Sequence, residues 1–416
     1  MEFRMLKKFT VITTLLFLTA CATTQTSQNN KYRVGPQSSN ANERQNAPNQ
    51  LVGDSGQKLS VIVPVMDPNL PANADDYEKK GIWPELRYAE ANRFAHLLKV
   101  SMDKTARFDG VRVYPDATAT AELYVMGKIL ESNGEDLDLE ITVIDISGKT
   151  RMKKIFRNRV KEYDVNNPRN KGKDLYVPYF DDIAAEIARS AAKIRAKDRA
   201  KLDVIETVRF GESMSGDYFS KYLKTSRSGR VSLVSAPSRN DPMIKNLEAV
   251  RVKDQMFTDQ LEDDYARYST KMDESYLVWQ EQAFEMSKQA RKAKAAATSK
   301  ALLGTLAAVA GVIVASNNNR NQNGRRSSTQ GAAATALILG GAAAVFDSMG
   351  DRAEARENLN ALNELGSQLN IELAPKNIQL EDQVVKLTGD AEEQAATWRA
   401  VLREYYLETA TPDVNL

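Results

Sequence analysis

The sequence predicts an α+β fold: an amino-terminal α/β sandwich with an antiparallel meander, a long helical arm and a small carboxyl-terminal ββα unit. Three observations predict it. Leu137, Leu139, Ile141 and Val143 alternate with Asp138, Glu140 and Thr142, the period-two pattern of a sheet with one buried face. Phe257, Leu261, Tyr265, Tyr268, Met272, Tyr276, Trp279, Ala283 and Met286 recur in steps of three or four, a sustained helical stripe. Residues 301–316 and 331–346 carry no charge, in a chain that is 27% charged.

At 416 residues the chain can bury a sizeable core. Residues 1–21 stand apart from the fold. Arg4, Lys7 and Lys8 precede the apolar run "FTVITTLLFLTA", the layout of a signal peptide. It ends in Leu18-Thr19-Ala20-Cys21, which resembles the lipobox of bacterial lipoproteins. That resemblance implies cleavage before Cys21 and acylation of its sulfur and new amino group, a palmitate-type anchor. Several acyl chains on one residue hold a protein stably at a bilayer. Ala22, where an aspartate would imply retention in the inner membrane, implies the outer membrane with the body facing the periplasm. Cys21 is the sole cysteine, so an acylated chain has no thiol left for a disulfide, a nucleophile or a metal site. Cleavage removes Glu2, Arg4, Lys7 and Lys8 and takes the formal charge from +2 to 0; a nucleic-acid binder shows a basic surplus instead.

Residues 22–56, rich in Asn, Gln, Ser and Thr, read as a flexible tether. Val61, Ile62, Val63 and Val65 make a short strand. A helix follows, with Pro84 at its start and Phe94, Leu97, Leu98 and Met102 on its apolar face. "GVRVYPD" is a brief strand. Three antiparallel strands then turn at "SNGED" and "ISGKT". With Ala121-Glu122, Gly127, Asp145 and Gly148-Lys149 at its landmarks, the span 57–160 resembles the amino-terminal domain of TolB and the periplasmic domain of curli-secretion-type lipoproteins. The resemblance implies a periplasmic α/β domain and no particular activity, because one fold serves many uses.

Residues 161–240 read as a linker with one helix from Asp181 to about Val208 and one strand at "RVSLVS". The arm occupies 241–300. Its aromatic stripe suits a packing seam against another helix, as in a coiled coil, rather than a ligand-stacking surface.

The two uncharged runs pair as a hairpin over 301–346. Ala307, Gly311 and Ala315, and Ala332, Ala336, Gly340 and Ala344, recur every four residues, a spacing that lets helices approach closely in an apolar medium. It resembles the glycine-zipper hairpins of some outer-membrane lipoproteins. About 16 residues is short of the ~20 that span a bilayer, so membrane insertion and burial in the protein's own core or an oligomer seam both remain open. Arg320, Arg325 and Arg326 lie between the runs.

Over 351–416, Leu359, Leu362, Leu365 and Leu369 mark an amphipathic helix. Ile378 and Leu380, then Val385 and Leu387, mark a hairpin. Asp390 and Glu393 stand at capping-box spacing, and Trp398, Val401, Leu402 and Tyr405 form the face of a final helix. This strand-strand-helix unit resembles half of a BON domain.

Catalytic signatures are absent. His96 is the sole histidine, so neither a histidine-pair zinc motif nor a Ser-His-Asp triad is available. "GESMSG" lacks the second glycine of a nucleophile elbow. The acid pairs Asp181-Asp182 and Asp263-Asp264 are expected to diverge into water. No cofactor, metal or catalytic residue is assigned. The expectation is a non-enzymatic lipoprotein with a structural or assembly role in an envelope complex, anchored through Cys21 and possessing a potential further membrane or self-association element at 301–346. A carboxylate-dependent cell-wall hydrolase and a ligand-binding periplasmic module are the competing readings.

Overall fold

A computed structural model of the chain describes residues 34–36, 58–302, 353–380 and 383–410. Cys21, the zipper positions Ala307, Gly311, Ala315, Ala332, Ala336, Gly340 and Ala344, and the three arginines between them lie outside the described residues.

The architecture is α+β. Strand β1 (Val61–Pro64) is an inner strand, second from one edge, of a five-stranded mixed sheet. It pairs in parallel with β2 (Val111–Tyr114) on one side and with β3 (Leu123–Ser132) on the other. All four of its residues are buried, as expected of a strand covered on both faces. The crossover from β1 to β2 carries a short helix, α1 (Asp75–Lys80), and then α2 (Pro84–Lys104), which has Pro84 in its first turn. Strands β3, β4 (Asp136–Asp145) and β5 (Thr150–Arg159) form the antiparallel meander.

Leu137, Leu139, Ile141 and Val143 of β4 are buried. Asp138 and Glu140 on the opposite face pair with Arg157 (3.3 Å) and Lys153 (3.1 Å) of β5. Alternation fails at the end of the strand. Thr142 and Ile144 are buried as well, because this corner of the second face is also covered.

After α3 (Glu162–Asn166) the expected single helix is two, α4 (Val177–Ala192) and α5 (Ala196–Met214). The break falls where Ile194 turns into the core and Arg199 donates to the Ile194 carbonyl (3.1 Å) and the Ala191 carbonyl (3.1 Å). The capping is tertiary, with no glycine or proline to announce it. A further short helix, α6 (Gly216–Phe219), follows. The strand expected near "RVSLVS" is β7 (Val231–Leu233), and it has a partner, β6 (Leu223–Thr225), that the sequence did not reveal.

The arm is one helix, α7 (Pro242–Leu302), 61 residues long and therefore about 90 Å. Asp241 accepts from the Met243 amide (3.0 Å) at its start, with Pro242 as first residue, the arrangement that favours helix initiation. Its stripe is buried at Phe257, Leu261, Tyr265, Met272, Tyr276, Trp279 and Ala283, while Tyr268 and Met286 are half-buried. The seam packs against β2, α2 and the carboxyl-terminal helices.

Those helices are α8 (Ala353–Leu365) and α9 (Ala391–Ala410), on either side of the hairpin β8 (Lys376–Leu380) and β9 (Gln383–Leu387). Gly366 lies against the start of α2 so closely that an added Cβ would fall 1.7 Å from the Glu85 carbonyl oxygen. The capping box is present: the Glu393 amide donates to Asp390 (2.9 Å) and the Asp390 amide to Glu393 (3.2 Å). The buried face of α9 is Ala395, Trp398, Leu402 and Tyr406. Tyr406, four residues beyond Leu402, takes the place expected for Tyr405.

Candidate functional site

Two parts of the body place polar chemistry where a purely apolar core would suffice. The first lies between α2 and α7. Arg93 is 2% exposed. It donates to Asp174 (2.9 Å), to Asp273 and to the Ser269 carbonyl (3.1 Å), and its guanidinium stands 4.7 Å from the centre of the Tyr276 ring. One turn earlier, Glu90 is fully buried and accepts from Ser132 of β3 and from the Tyr276 hydroxyl (2.9 Å). Burial raises the proton affinity of Glu90, against the pull of Arg87. Further along, Lys99 of α2 pairs with Glu262 of α7. At the far end of the body, Arg291 forks onto Glu135 (2.7 Å) and Lys288 meets Glu162 (2.6 Å). These pairs fix α7 to the domain in one register, since a bidentate guanidinium contact constrains geometry as well as adding energy.

The second part lies beneath α5. Arg209 donates to the Val34 carbonyl, the Pro36 carbonyl (2.9 Å) and the Ile146 carbonyl (3.0 Å). The Gly35 amide donates to the Ala117 carbonyl (2.8 Å). Residues 34–36 are buried. The expected free tether over 22–56 is therefore corrected at these three residues, which are seated in the fold. A guanidinium has five donors and no proton to lose, so a cluster of backbone carbonyls can hold it without a carboxylate.

Nearby, Glu122 at the start of β3 accepts from the Ser60 amide (2.7 Å), and its own amide donates to the Ser60 hydroxyl (3.1 Å). Burial, with Glu206 close by, pushes its carboxyl up to about 8. Glu206 is paired with Arg251 of α7. Adjacent to that pair is a cavity of about 270 Å³ lined by Asp203, Thr207, Arg239, Leu247, Glu248 and Arg251, among others. Its lining mixes both charge signs.

The landmarks of the meander have structural tasks here. Gly127 leaves room for the Met66 side chain. Asp145 accepts from the Ser147 and Lys149 amides (3.0 and 3.1 Å) and from Arg151, closing the "ISGKT" turn. His96 is half-buried on α2, and burial together with Lys99 and Arg93 lowers its pKa to about 4. The adjacent acids diverge: Asp181 pairs with Lys104 (3.0 Å), and Asp264 with Lys376 and Arg267, while Asp263 points outward. "GESMSG" spans the end of α5 and the start of α6, a helix-to-helix step unlike the strand-to-helix turn of a nucleophile elbow. Among the described residues no group of three or more His, Cys, Asp or Glu is placed to hold a metal ion, and no helix is long and apolar enough to cross a membrane.

Sequence reasoning missed Glu90, Arg93, Glu122, Glu206 and Arg209, since charged residues in helices and at strand ends read as solvent-facing. The one available signal was their spacing: Arg93 falls one residue before Phe94 and Glu90 four before it, within the buried sector of α2. The chain matches no protein-family model, no curated protein and no solved structure.

Proposed function

We propose that the chain is an outer-membrane-anchored periplasmic lipoprotein that serves as a structural or assembly component of an envelope complex, and that it is not an enzyme. The observation that carries this reading is α7. Over its first fifty residues the helix is fastened to the α/β body by Arg112–Asp259 (2.5 Å), Lys99–Glu262, Arg93–Asp273 and Arg291–Glu135. Its backbone then continues eleven residues past Arg291 to Leu302, roughly 16 Å, straight into the uncharged sequence that begins at Ala301. A strut held this firmly at one end suits the presentation of an apolar element to a bilayer or a partner. Three of the carboxylates with raised proton affinity, Glu90, Glu122 and Glu206, are each under 5% exposed, whereas Glu131, also raised, is exposed. A polysaccharide chain has no access to the three buried ones, so a hydrolase would have to work without them.

The anchor is tested by Cys21→Ser, which removes the sulfur that the thioether needs. Metabolic labelling with a fatty-acid probe is expected to disappear and the protein to leave the outer-membrane fraction; persistent labelling sinks the reading. The assembly role is tested in intact cells by a photo-crosslinker at Met256, 60% exposed on α7, followed by mass spectrometry of the adducts. Recurrent envelope proteins, or the chain itself, support it. A cell-wall hydrolase activity in the purified protein overturns it.

A further inference from the structure

We infer that residues 34–36 are a latch that sets how far the folded body stands from the membrane. The inference rests on reading Cys21 as an acylated anchor. From Cys21 to Val34 the chain advances thirteen residues, and at about 3.3–3.6 Å per residue it reaches at most roughly 45 Å. If residues 34–36 were free, the next described residue would be Lys58, thirty-seven residues from Cys21, and the limit of reach to it would be roughly 125 Å. Occupying the seat therefore shortens the maximal stand-off nearly threefold without changing the length of the chain.

The seat is specific to these three residues. Gly35 has φ of +83°, a conformation that residues with a Cβ rarely adopt, and a Cβ there would lie 2.7 Å from Arg209 Nη1 and 3.2 Å from the Tyr124 hydroxyl. Val34 is 2% exposed. On either side of the glycine the Val34 and Pro36 carbonyls turn toward one guanidinium, and the Ala117 carbonyl receives the amide between them. Vacating the seat strips Arg209 of two of its three carbonyl acceptors and leaves it the Ile146 carbonyl. Buried charge that loses its partners is strongly penalised, so the seated state is the resting one. The two states differ in the level at which α7 and residues 301–346 are presented, which makes the latch a regulator of what the anchored body can touch.

The test uses the full acylated chain in a supported bilayer. With Cys21 consumed by acylation, Lys171→Cys at an exposed position introduces a single thiol for a donor dye, with acceptor dye on the lipid headgroups. Arg209→Ala opens the seat from the body side. Gly35→Val opens it from the tether side and leaves the core of the body untouched, which guards against a variant that fails to fold. Energy transfer is expected to fall at least twofold in both. Unchanged transfer in a folded Gly35→Val protein overturns the latch. Amide exchange at residue 35 in the unacylated Cys21→Ser chain reads the seat without a membrane. Protection that falls at least tenfold on Arg209→Ala supports the latch, and rapid exchange with Arg209 intact overturns it. Protection at Gly35 with no acyl label on Cys21 in cells overturns the stand-off role through the failure of the anchor, and identifies that failure as the cause.

Discussion

The long helix is held by two unlike interfaces. Against α2 it uses charge and hydroxyls: Arg93 with Asp273 and the Ser269 carbonyl, Tyr276 with Glu90, Lys99 with Glu262. Against α9 it uses rings and apolar area. Phe257 and Trp398 lie 5.4 Å apart, and polar contacts join the start of α7 to the end of α9, Asn246 to Thr409 (2.9 Å) and the Tyr406 hydroxyl to the Met243 carbonyl (3.2 Å). Apolar contact is non-directional and tolerates a slipped or rotated helix. A buried ion pair does not, because a displaced partner leaves charge without compensation. The α2 side thus fixes register, and the α9 side supplies area.

The sharpest way to break the comparison is Arg93→Ala. It leaves Asp174, 6% exposed at its side chain, without its cation. We expect a loss of about 3–5 kcal/mol in chemical denaturation. Arg93→Met with Asp174→Asn should recover most of that loss, as apolar replacement of a buried pair commonly does, yet with poorer definition of the α2–α7 register by amide exchange. If the single variant costs no more than a surface substitution, the charged interface does not fix register.

Phe257→Leu probes the other side. It removes the ring contact with Trp398 but keeps an apolar side chain, and we expect about 1–1.5 kcal/mol with unchanged exchange protection along α2. A loss as large as that of Arg93→Ala would erase the distinction between the interfaces.

The smallest effect belongs to His96, beside the charged interface. Its folded pKa, about 4, lies below the ordinary 6.5. The unfolded chain therefore takes up a proton below pH 6.5 while the folded chain does not. Its contribution is fully present above pH 6.5 and is lost as pH falls toward 4. His96→Gln should change stability at pH 7 by about 0.5 kcal/mol or less and should flatten the acid limb between pH 6.5 and 4. Parallel melting curves across that range for both proteins would show that the side chain is not buried as described.

Much of the frame was legible because it follows short-range rules. The alternation of β4, the turns "SNGED" and "ISGKT", Pro84, the Asp390–Glu393 box and the stripe of α7 each express a backbone period or a cap within a few residues. What stayed hidden depends on partners far away in sequence. Ile194 breaks a continuous helical pattern because the core claims it. The three residues 34–36 have no periodicity and gain their place from Arg209. Glu90 and Arg93 read as solvated until Tyr276 and Asp273, some 180 residues later, are set against them. The proposed anchor and hairpin are legible only as composition and as resemblance, for Cys21 and residues 303–346 lie outside the described residues.

The return of the chain after residue 353 governs the order in which the protein can fold. The Trp83 indole donates to Asn363 (2.8 Å) across 280 residues, and Asn92 donates to the Leu369 carbonyl (2.8 Å) across 277. α9 supplies Trp398 to Phe257 and Tyr406 to the first turn of α7. Contacts of such separation form late, since the loop must be closed before they contribute. A chain emerging amino terminus first holds the apolar seam of α7 uncovered on two sides until the segment from Ala353 onward arrives. A chain arrested before α9 lacks the Trp398 ring that packs on Phe257. Such a species invites aggregation or proteolysis, and the arrival of α9 removes that liability.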